Sequence, residues 1–549
     1  MEFDYIVVGA GSAGCILAHR LSESGEHSVL LIEAGGRDSN PWIKLPVGFA
    51  KTYYHPKYNY MYYSEPEAEM GGRELYAPRG KVQGGSGSIN AMIYVRGQRK
   101  DFDDWEARGN PGWGYDDVLP YFKKLENHPL GDTEFHSTKG LIGITQMKHD
   151  AHQVCDYFLK GCAELGYPLN DDFNGETFEG AGVYEANIRK GVRDSSSFAY
   201  LQNNKSRTNL TISHNTQTLK VVLDAENRAT GVLALVSGER REFRARQEVI
   251  LSAGAVDSPK LLMLSGIGDE TQLKAHGLPV QCVLPAVGKN LQDHICASFY
   301  YKANQKTLND DFSSWWGQAK AGAQYLLNRS GPLALSVNQA GGFFRGNKQQ
   351  SEPNLQLYFN PLSYEIPKDP NAKMLPDPYS GFLVAFNSCR PTSRGEILLR
   401  SSQPQEPAVI RPNYLTTQKD IDEVLQGAKL VRNLMASEAL TELTKEEVKP
   451  AGNVIDDESM LRYFREQGGS IYHLCGSCIM GPNPADSVVD NQLKVHGIKG
   501  LRVIDASIFP NITSGNTNAP AMMVAEKGAA LILAQQALDI RKERSNKVA

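Results

Sequence analysis

The chain has 549 residues, of which 41% are apolar and 22% are charged, and its formal net charge at pH 7 is -4. This length suffices for two to four domains with a large buried core, and the composition is that of a globular protein. No basic excess indicates a nucleic-acid partner. Eight scattered cysteines are too few for a disulfide framework and fit a reducing compartment.

The sequence predicts neither a secretory leader nor a membrane span. The first residues, MEFDYIVVGAG, contain no basic leader, and no run of about 18 apolar residues occurs in the chain. We therefore expect a cytoplasmic protein without a transmembrane segment. Any contact with the inner face of a membrane would be peripheral.

The amino-terminal segment predicts a dinucleotide-binding unit. The apolar run DYIVV predicts a buried parallel strand, and a helical pattern follows the turn GAGSAG. In this turn Gly9 permits the tight bend, Gly11 lets the backbone approach a pyrophosphate, and Gly14 lets helix and strand pack closely. A second strand ends at Glu33, where a carboxylate can accept the ribose hydroxyls. The alternative is a plain glycine-rich turn with a solvated glutamate at the strand end.

A second glycine-rich loop, RGKVQGGSGSINAMIYVRG, occupies residues 79–97. Two such loops predict a long ligand that is contacted along its length, as the flavin ring of FAD requires. A flexible surface loop is the alternative. The first motif alone does not distinguish NAD from FAD, but an NAD-dependent dehydrogenase would leave the other motifs without an explanation.

Several sequence blocks together resemble the glucose–methanol–choline (GMC) oxidoreductases, a family of flavoproteins. The blocks are RGKVQGGSGSINAM, GAVDSPKLLMLSGIG (254–268), VGKNLQDH (287–294), SVVDNQLKVHGIKGLRVIDASIFP (487–510) and SGNTNAP (514–520). They extend over nearly the whole chain, in a form similar to bacterial FAD-dependent alcohol dehydrogenases and choline dehydrogenases. The resemblance implies oxidation of a primary alcohol to an aldehyde, with hydride transfer to flavin N5 and electrons passed to a quinone or similar acceptor.

The resemblance assigns the catalytic roles to two residues near the carboxyl end. His473, in IYHLCGSCIMG, matches the family's catalytic histidine, and Asn516 matches its partner, which is a histidine or an asparagine in different members. An imidazole titrates near physiological pH and can accept the hydroxyl proton. A neutral amide can hold the hydroxyl oxygen or the developing alkoxide. Without the resemblance, a structural histidine and a turn asparagine are the alternatives.

Two cysteines follow His473, and three interpretations of them are possible. Cys478 falls on the ordinary family cysteine, and Cys475 is an additional one. A metal site would need further ligands, and His496 is the nearby candidate at an unsuitable spacing, so we expect no metal. A redox pair would require the strand–helix start of a thioredoxin-like motif. We therefore expect two packed free thiols.

The motifs and the resemblance together predict the cofactor contacts. The residues are Gly9, Gly11, Ser12, Ala13, Gly14, Glu33, Ala34, Gly84, Gly85, Ser86, Asn90, Ala91, Met92, Ile93, Asp505, Ala506, Asn516 and Thr517. Some family members link FAD covalently through a histidine in the second glycine loop. The matching residue here is Ile89, so we expect non-covalent FAD. The loop departs from the family pattern at Gln83 and Gly87, and a plain strand-end carboxylate is the alternative role for Asp505.

We expect an α/β fold in which a Rossmann-like FAD-binding domain is formed by discontinuous segments. An inserted α+β substrate domain is expected to contain an antiparallel sheet backed by helices, because strand-like runs such as NLQLYFN and GFLVAFNSC lie there. Tyr358, Asn360 and Phe386 on these runs are candidate pocket residues. The predicted segments are 1–155, 205–298 and 465–540 for the FAD-binding domain, and 156–204 and 299–464 for the substrate-binding domain.

Related activities stay open at this level. The partners expected are a small-molecule alcohol and a quinone or other electron acceptor, with no nucleic acid. Choline is an alternative substrate, although a quaternary ammonium needs an aromatic or acidic cage that the sequence does not locate. Oxygen is an alternative acceptor. A flavin-containing hydroxynitrile lyase is a further alternative, because that activity occurs in the same family without flavin reduction.

Overall fold

The computed structural model describes residues 1–202, 207–367, 371, 373–452, 454 and 456–548. Its α-helices are α1 Ser12–Ser22, α2 Pro41–Lys44, α3 Phe49–Thr52, α4 Arg99–Ala107, α5 Tyr115–Leu125, α6 Val154–Glu164, α7 Gly254–Leu264, α8 Glu270–Ala275, α9 Leu308–Ser313, α10 Trp315–Asn328, α11 Gln418–Met435, α12 Glu438–Leu443, α13 Asp457–Gln467 and α14 Asn518–Val548. Its strands are β1 Glu2–Val8, β2 Val29–Ile32, β3 Tyr62–Tyr63, β4 Tyr76–Ala77, β5 Glu126–Asn127, β6 Ile142–Gly143, β7 Thr145–Gln146, β8 Gly180–Val183, β9 Glu185–Ala186, β10 Ile188–Arg189, β11 Val192–Arg193, β12 Leu210–Ser213, β13 Thr216–Leu223, β14 Ala229–Val236, β15 Glu239–Leu251, β16 Ile267–Gly268, β17 Cys282–Val283, β18 Ile295–Ala303, β19 Ala340–Phe344, β20 Leu355–Asn360, β21 Gly381–Ser388, β22 Glu396–Leu398, β23 Val409–Arg411, β24 Thr444–Lys449, β25 Gly469–Ser470 and β26 Leu501–Val503.

The first large sheet contains the predicted dinucleotide-binding unit. Its strand order is β12-β2-β1-β15-β14-β13, and β26 also pairs with β15. Strands β12, β2, β1, β15 and β26 pair in parallel, whereas β13, β14 and β15 pair antiparallel. The last four residues of β1 are all buried, as expected for a central parallel strand covered on both faces. The Rossmann-like arrangement predicted from the glycine turn is confirmed.

The second large sheet is antiparallel throughout. Its strand order is β24-β18-β21-β20-β19-β8, with β25 on the other part of β18. Helices α6 and α11 pack on one face, where the rings of Phe158 and Phe359 stack with their centroids 5.2 Å apart. The predicted antiparallel sheet backed by helices is confirmed, and its other face is free to line a site.

The two sheets have separate apolar cores, one around each sheet. The second sheet includes all of β18, which begins at Ile295, and also β25, which lies at 469–470. It therefore extends a few residues beyond the segment limits predicted at 298 and 465. The division into domains at these limits stays a prediction.

Helix α10 buries Ala321 and Tyr325 but leaves larger apolar side chains exposed. The rings of Trp315 and Trp316 stack with centroids 3.7 Å apart, and the two side chains are 65% and 68% exposed. Within the described ranges, no helix combines the length and apolarity needed to cross a bilayer.

Candidate active site

A single cavity of about 1710 Å³ brings together segments that are far apart in the sequence. The predicted residues that line it are Gly9, Gly11, Ser12, Ala13, Glu33, Ala34, Gly85, Ser86, Asn90, Ala91, Met92, Ile93, His473, Asp505, Ala506, Asn516 and Thr517. Gly14 and Gly84 are not among the lining residues, and they shape the two loops instead. One elongated ligand could therefore contact nearly every position predicted from the motifs.

The two glycine-rich loops meet without side chains between them. A Cβ atom at Gly14 would lie 1.9 Å from the Gly9 carbonyl oxygen, and one at Gly85 would lie 2.7 Å from the Gly11 Cα. Gly9 also has a φ of +97°, a conformation that suits glycine. The bare backbone of both loops thus borders the cavity, as a pyrophosphate site requires.

Glu33 lies buried at the end of β2, where the ribose contact is expected. Its carboxylate oxygens accept hydrogen bonds from the amides of Ala10 at 3.0 Å and Gly35 at 2.8 Å. Burial raises the pKa of Glu33, and these amide donors oppose the rise. The carboxylate therefore holds the glycine turn in place beside the cavity.

Asp505 follows β26 at the same carboxyl edge of the first sheet as Glu33, and it joins the start of α7 to the turn after β26. Its carboxylate accepts hydrogen bonds from the amide of Gly254 at 2.8 Å, the hydroxyl of Ser258 at 2.6 Å and the amide of Ser507 at 2.8 Å. The start of α7 is thereby fixed next to the end of β26. Asp505 also lines the cavity, so it has both a structural role and access to a ligand.

His473 is positioned through its backbone by a buried carboxylate. Asp293 accepts hydrogen bonds from the His473 amide at 2.7 Å, from the Tyr414 hydroxyl at 2.6 Å and from the Ser470 hydroxyl at 2.5 Å. The preceding residue, Tyr472, has a φ of +73°, which is rare for a bulky side chain and is typical of functional sites that the surrounding structure holds in place.

The imidazole of His473 is positioned by a second histidine, His294. Their Nδ1 atoms lie 2.9 Å apart, and His294 Nε2 lies 2.9 Å from the Cys389 carbonyl oxygen. A carbonyl can only accept, so His294 Nε2 carries the proton, and a neutral His294 must accept at Nδ1. His473 therefore donates from Nδ1, which leaves its Nε2 without a proton.

Asn516 lies next to the unprotonated Nε2 of His473. Its Nδ2 is 3.2 Å from His473 Nε2, and its Oδ1 accepts from Gln356 Nε2 at 3.4 Å. Gln356 is in turn 3.3 Å from the hydroxyl of Tyr184. The amide thus donates a hydrogen bond to the unprotonated Nε2 of His473, and the two groups lie side by side at the cavity wall.

Both imidazoles are held neutral. Burial, with smaller contributions from His294 and the Arg79 guanidinium, lowers the pKa of His473 well below its ordinary value. Burial also lowers the pKa of His294 to about 4, although its bond to the Cys389 carbonyl opposes this. At neutral pH the pair can therefore accept a proton at His473 Nε2.

Cys475 and Cys478 are buried free thiols. Burial raises the pKa of both thiols well above the ordinary value, so neither forms the reactive thiolate that a redox site requires. Across the described part of the chain, no group of three or more His, Cys, Asp or Glu side chains is arranged to hold a metal ion.

Sequence reasoning gave no role to His294 or Gln356, although both contact the predicted pair. His294 ends the quoted block VGKNLQDH, so its position in a family-like block was the available signal. Gln356 occupies an ordinary strand pattern and carried no signal. Its contact with Asn516 depends on how the second sheet is placed over the first.

Comparison with known proteins agrees with this architecture. Family models described as GMC oxidoreductase match residues 3–296 and 391–525. The chain belongs to the GMC oxidoreductase family. This GMC oxidoreductase is an FAD-binding flavoprotein of the class that acts on alcohols, so the family and the cofactor predicted from the sequence are confirmed.

Relatives of this GMC oxidoreductase match it over nearly their full length. An oxygen-dependent choline dehydrogenase of Vibrio vulnificus (strain YJ016) is 39% identical over 545 residues, covering 99% of this chain and 96% of the relative. An alcohol dehydrogenase [acceptor] of Pseudomonas putida is 38% identical over 535 residues, covering 97% and 96%. The crystal structure of pyridoxine 4-oxidase from Mesorbium loti is similar, with a TM-score of 0.86, 30% identity, and coverage of 96% and 98%.

Proposed function

We propose that this protein is a dehydrogenase that oxidises a primary alcohol to an aldehyde, with His473 as the base. The observation that carries the proposal is the unprotonated Nε2 of His473, which lies 3.2 Å from the Asn516 Nδ2 donor at the wall of the cavity. A base and an amide donor that lie side by side suit a hydroxyl group, because the oxygen and the proton need different partners.

The protein's part in the reaction is to remove the hydroxyl proton and hold the oxygen. His473 Nε2 accepts the proton, and the Asn516 amide donates to the oxygen as negative charge develops on it. The imidazolium formed at His473 keeps its Nδ1–H bond to the neutral His294. Gln356 holds the Asn516 amide in the orientation that keeps its donor toward the substrate.

The cofactor-binding part of the proposal uses the two glycine loops, Glu33 and Asp505. The absence of side chains between the loops and the carboxylate at the end of β2 fit a dinucleotide. When bound, FAD would supply the acceptor for the hydride that leaves the carbinol carbon. The amino-terminal end of α14, beside Asn516, contributes positive potential to this region.

The electron acceptor and the cellular location are also part of what we propose. We infer that electrons pass to a quinone or a similar acceptor in the cytoplasm, with any contact with a membrane being peripheral. One relative is named for an acceptor and another for oxygen dependence, so oxygen is the alternative acceptor that an experiment must distinguish. Choline is the alternative substrate, since it appears in the name of a relative.

The decisive experiment is anaerobic mixing of the purified yellow protein with primary alcohols, aromatic alcohols and choline, with the visible flavin band as the readout. Bleaching by an uncharged primary alcohol and not by choline supports the proposal. Bleaching by choline alone would indicate that the substrate is choline and not an uncharged alcohol. The speed at which colour returns on admitting air distinguishes an oxidase from a dehydrogenase. Cleavage of a cyanohydrin without bleaching would indicate a lyase.

A further inference from the structure

The strand β20 turns three polar side chains toward the reaction site. Alternate residues of a strand point to opposite faces, and the ring of Phe359 stacks against Phe158 of α6 on the helical face. Gln356, Tyr358 and Asn360 therefore share the opposite face. Gln356 bonds Asn516, and the other two side chains line the cavity.

Each of these three side chains has a buried polar atom without a partner. They are Oε1 of Gln356, the hydroxyl oxygen of Tyr358 and Oδ1 of Asn360. The Tyr358 hydroxyl lies near the Asn516 amide without forming a hydrogen bond to it. Tyr358 and Asn360 are only 6% and 3% exposed. Buried polar groups are normally hydrogen-bonded, so this row is suited to a ligand that supplies the missing partners.

Uncharged side chains of the neighbouring strands lie beside Gln356, Tyr358 and Asn360. Tyr358 pairs in register with Ala385, and Ala385 with Ser298; Asn360 pairs with Leu383, and Leu383 with Tyr300. On this face, the side chains in register with Gln356, Tyr358 and Asn360 are uncharged: Cys296, Ser298, Tyr300, Leu383, Ala385 and Asn387. Lys302, further along β18 on the same face, forms an ion pair with Glu446 at 2.8 Å.

Two charged side chains that line the cavity near this face form an ion pair with each other. Lys449 of the edge strand β24 is paired in register with Tyr300, and its ammonium forms an ion pair with Glu365. These two side chains are 38% and 62% exposed. The carboxylate is thus engaged and solvated, so it is poorly placed to attract a cationic substrate into the inner pocket.

We propose that Tyr358 and Asn360 form a subsite for a second hydroxyl group on the alcohol substrate. This subsite rests on the proposed function, in which the reacting hydroxyl lies at His473 and Asn516. A hydroxyl suits the pair because the Tyr358 O–H can donate a hydrogen bond to its oxygen while Asn360 Oδ1 accepts a hydrogen bond from its O–H. The Tyr358 hydroxyl lies near the Asn516 amide, and Asn360 follows about 7 Å further along β20, at a rise of roughly 3.3 Å per residue. The substrate class is therefore an uncharged diol.

The test compares α,ω-diols from butanediol to octanediol with monoalcohols of the same length. We expect kcat/KM of the best diol to exceed that of its monoalcohol by at least about 10-fold, because a site built to bond a hydroxyl rejects the analogue that lacks it. In Tyr358→Phe and in Asn360→Leu this ratio should fall to near one.

Tyr301→Phe is the matched control. Tyr301 is also a buried tyrosine whose hydroxyl has no partner, but it lies on the helical face of the sheet and does not line the cavity. Its variant should keep the wild-type diol preference. A wild-type ratio near one at every chain length, or an unchanged ratio in both subsite variants, would overturn the subsite.

Binding measurements separate this subsite from the proposed reaction. If no alcohol reduces the flavin, dissociation constants of diols and monoalcohols are measured from the change that they cause in flavin absorbance. If the wild type then binds the diol more tightly than the monoalcohol, and this difference is abolished in Tyr358→Phe, the result would support the subsite and reject the proposed oxidation. Equal dissociation constants for diol and monoalcohol would reject the subsite on their own.

Discussion

The Nδ1 atoms of His294 and His473 lie 2.9 Å apart, and this contact fixes which nitrogen of His473 faces the substrate. The Cys389 carbonyl at the far side of His294 can only accept a hydrogen bond. The direction of each hydrogen bond in the series that runs from the Cys389 carbonyl through His294 and His473 to Asn516 follows from that one acceptor. The proposed base is thus oriented by the His294 imidazole and the Cys389 carbonyl, two groups that do not line the cavity.

The His294 contact predicts that removing it slows the chemistry without weakening substrate binding. His294→Leu should lower the rate constant of flavin reduction by about 10- to 100-fold, because His473 can then carry its proton on Nε2. His294→Gln should keep more of the rate, since its Oε1 can still accept from His473 Nδ1. Rapid anaerobic mixing gives the rate and the dissociation constant separately. Wild-type rates in both variants would contradict the positioning role.

His473 itself should be dispensable for cofactor binding and essential for proton removal. His473→Ala should purify yellow and reduce its flavin about 10²- to 10⁴-fold more slowly than the wild type, the range in which general bases contribute. The flavin content of the purified protein controls for a folding defect. Near-normal reduction by a primary alcohol would exclude His473 as the base.

The pH dependence follows from the lowered pKa of His473, which burial causes first, with His294 and Arg79 adding to it. The base works when neutral, so the rate of flavin reduction should stay flat across neutral pH. It should fall only when the pH drops well below 6.5. The folded state binds the proton less readily than the unfolded state, so stability contributed by the neutral histidine is likewise lost as the pH falls below 6.5. A rate that halves near pH 6.5 or above would contradict the assignment.

The cofactor should leave the protein on denaturation. Ile89 stands where some family members carry the linking histidine, and no thiol or imidazole is offered at that position. Precipitation with acid should therefore release yellow FAD into the supernatant. Colour retained in the pellet after washing would show a covalent bond and require another attachment residue.

Local patterns in the sequence sufficed for the amino-terminal unit. The strand, glycine turn, helix and acid lie within the first 33 residues, and their spacing alone predicts the arrangement found in β1, α1 and β2. The antiparallel second sheet was also predictable in kind, because β20 and β21 have strand-like sequences bounded by turns.

Contacts within the site depended on long-range packing and were not predictable from spacing. His294 and His473 are 179 residues apart, and Gln356 and Asn516 are 160 apart. No periodicity connects such positions. His294 and His473 meet because β18 pairs with β25 within the second sheet, whereas Gln356 and Asn516 meet only after the second sheet is placed over the first. The partners of His473 therefore required the structure, whereas His473 and Asn516 were accessible through the resemblance.

Asn516 provides the last prediction, because its two neighbours define what its side chain must do. Its Nδ2 faces His473 and its Oδ1 is held by Gln356, so the donor is aimed at the substrate oxygen. Asn516→Ala should lower the rate of flavin reduction by about 10²- to 10³-fold, as the loss of a donor to a developing oxyanion does. Asn516→His restores a donor of the type that other family members use, and it should recover part of that loss. Single-turnover reduction of both variants under anaerobic conditions checks this, with flavin content as the control. Equal loss in the two variants would mean that the amide serves packing, and that another group holds the alkoxide.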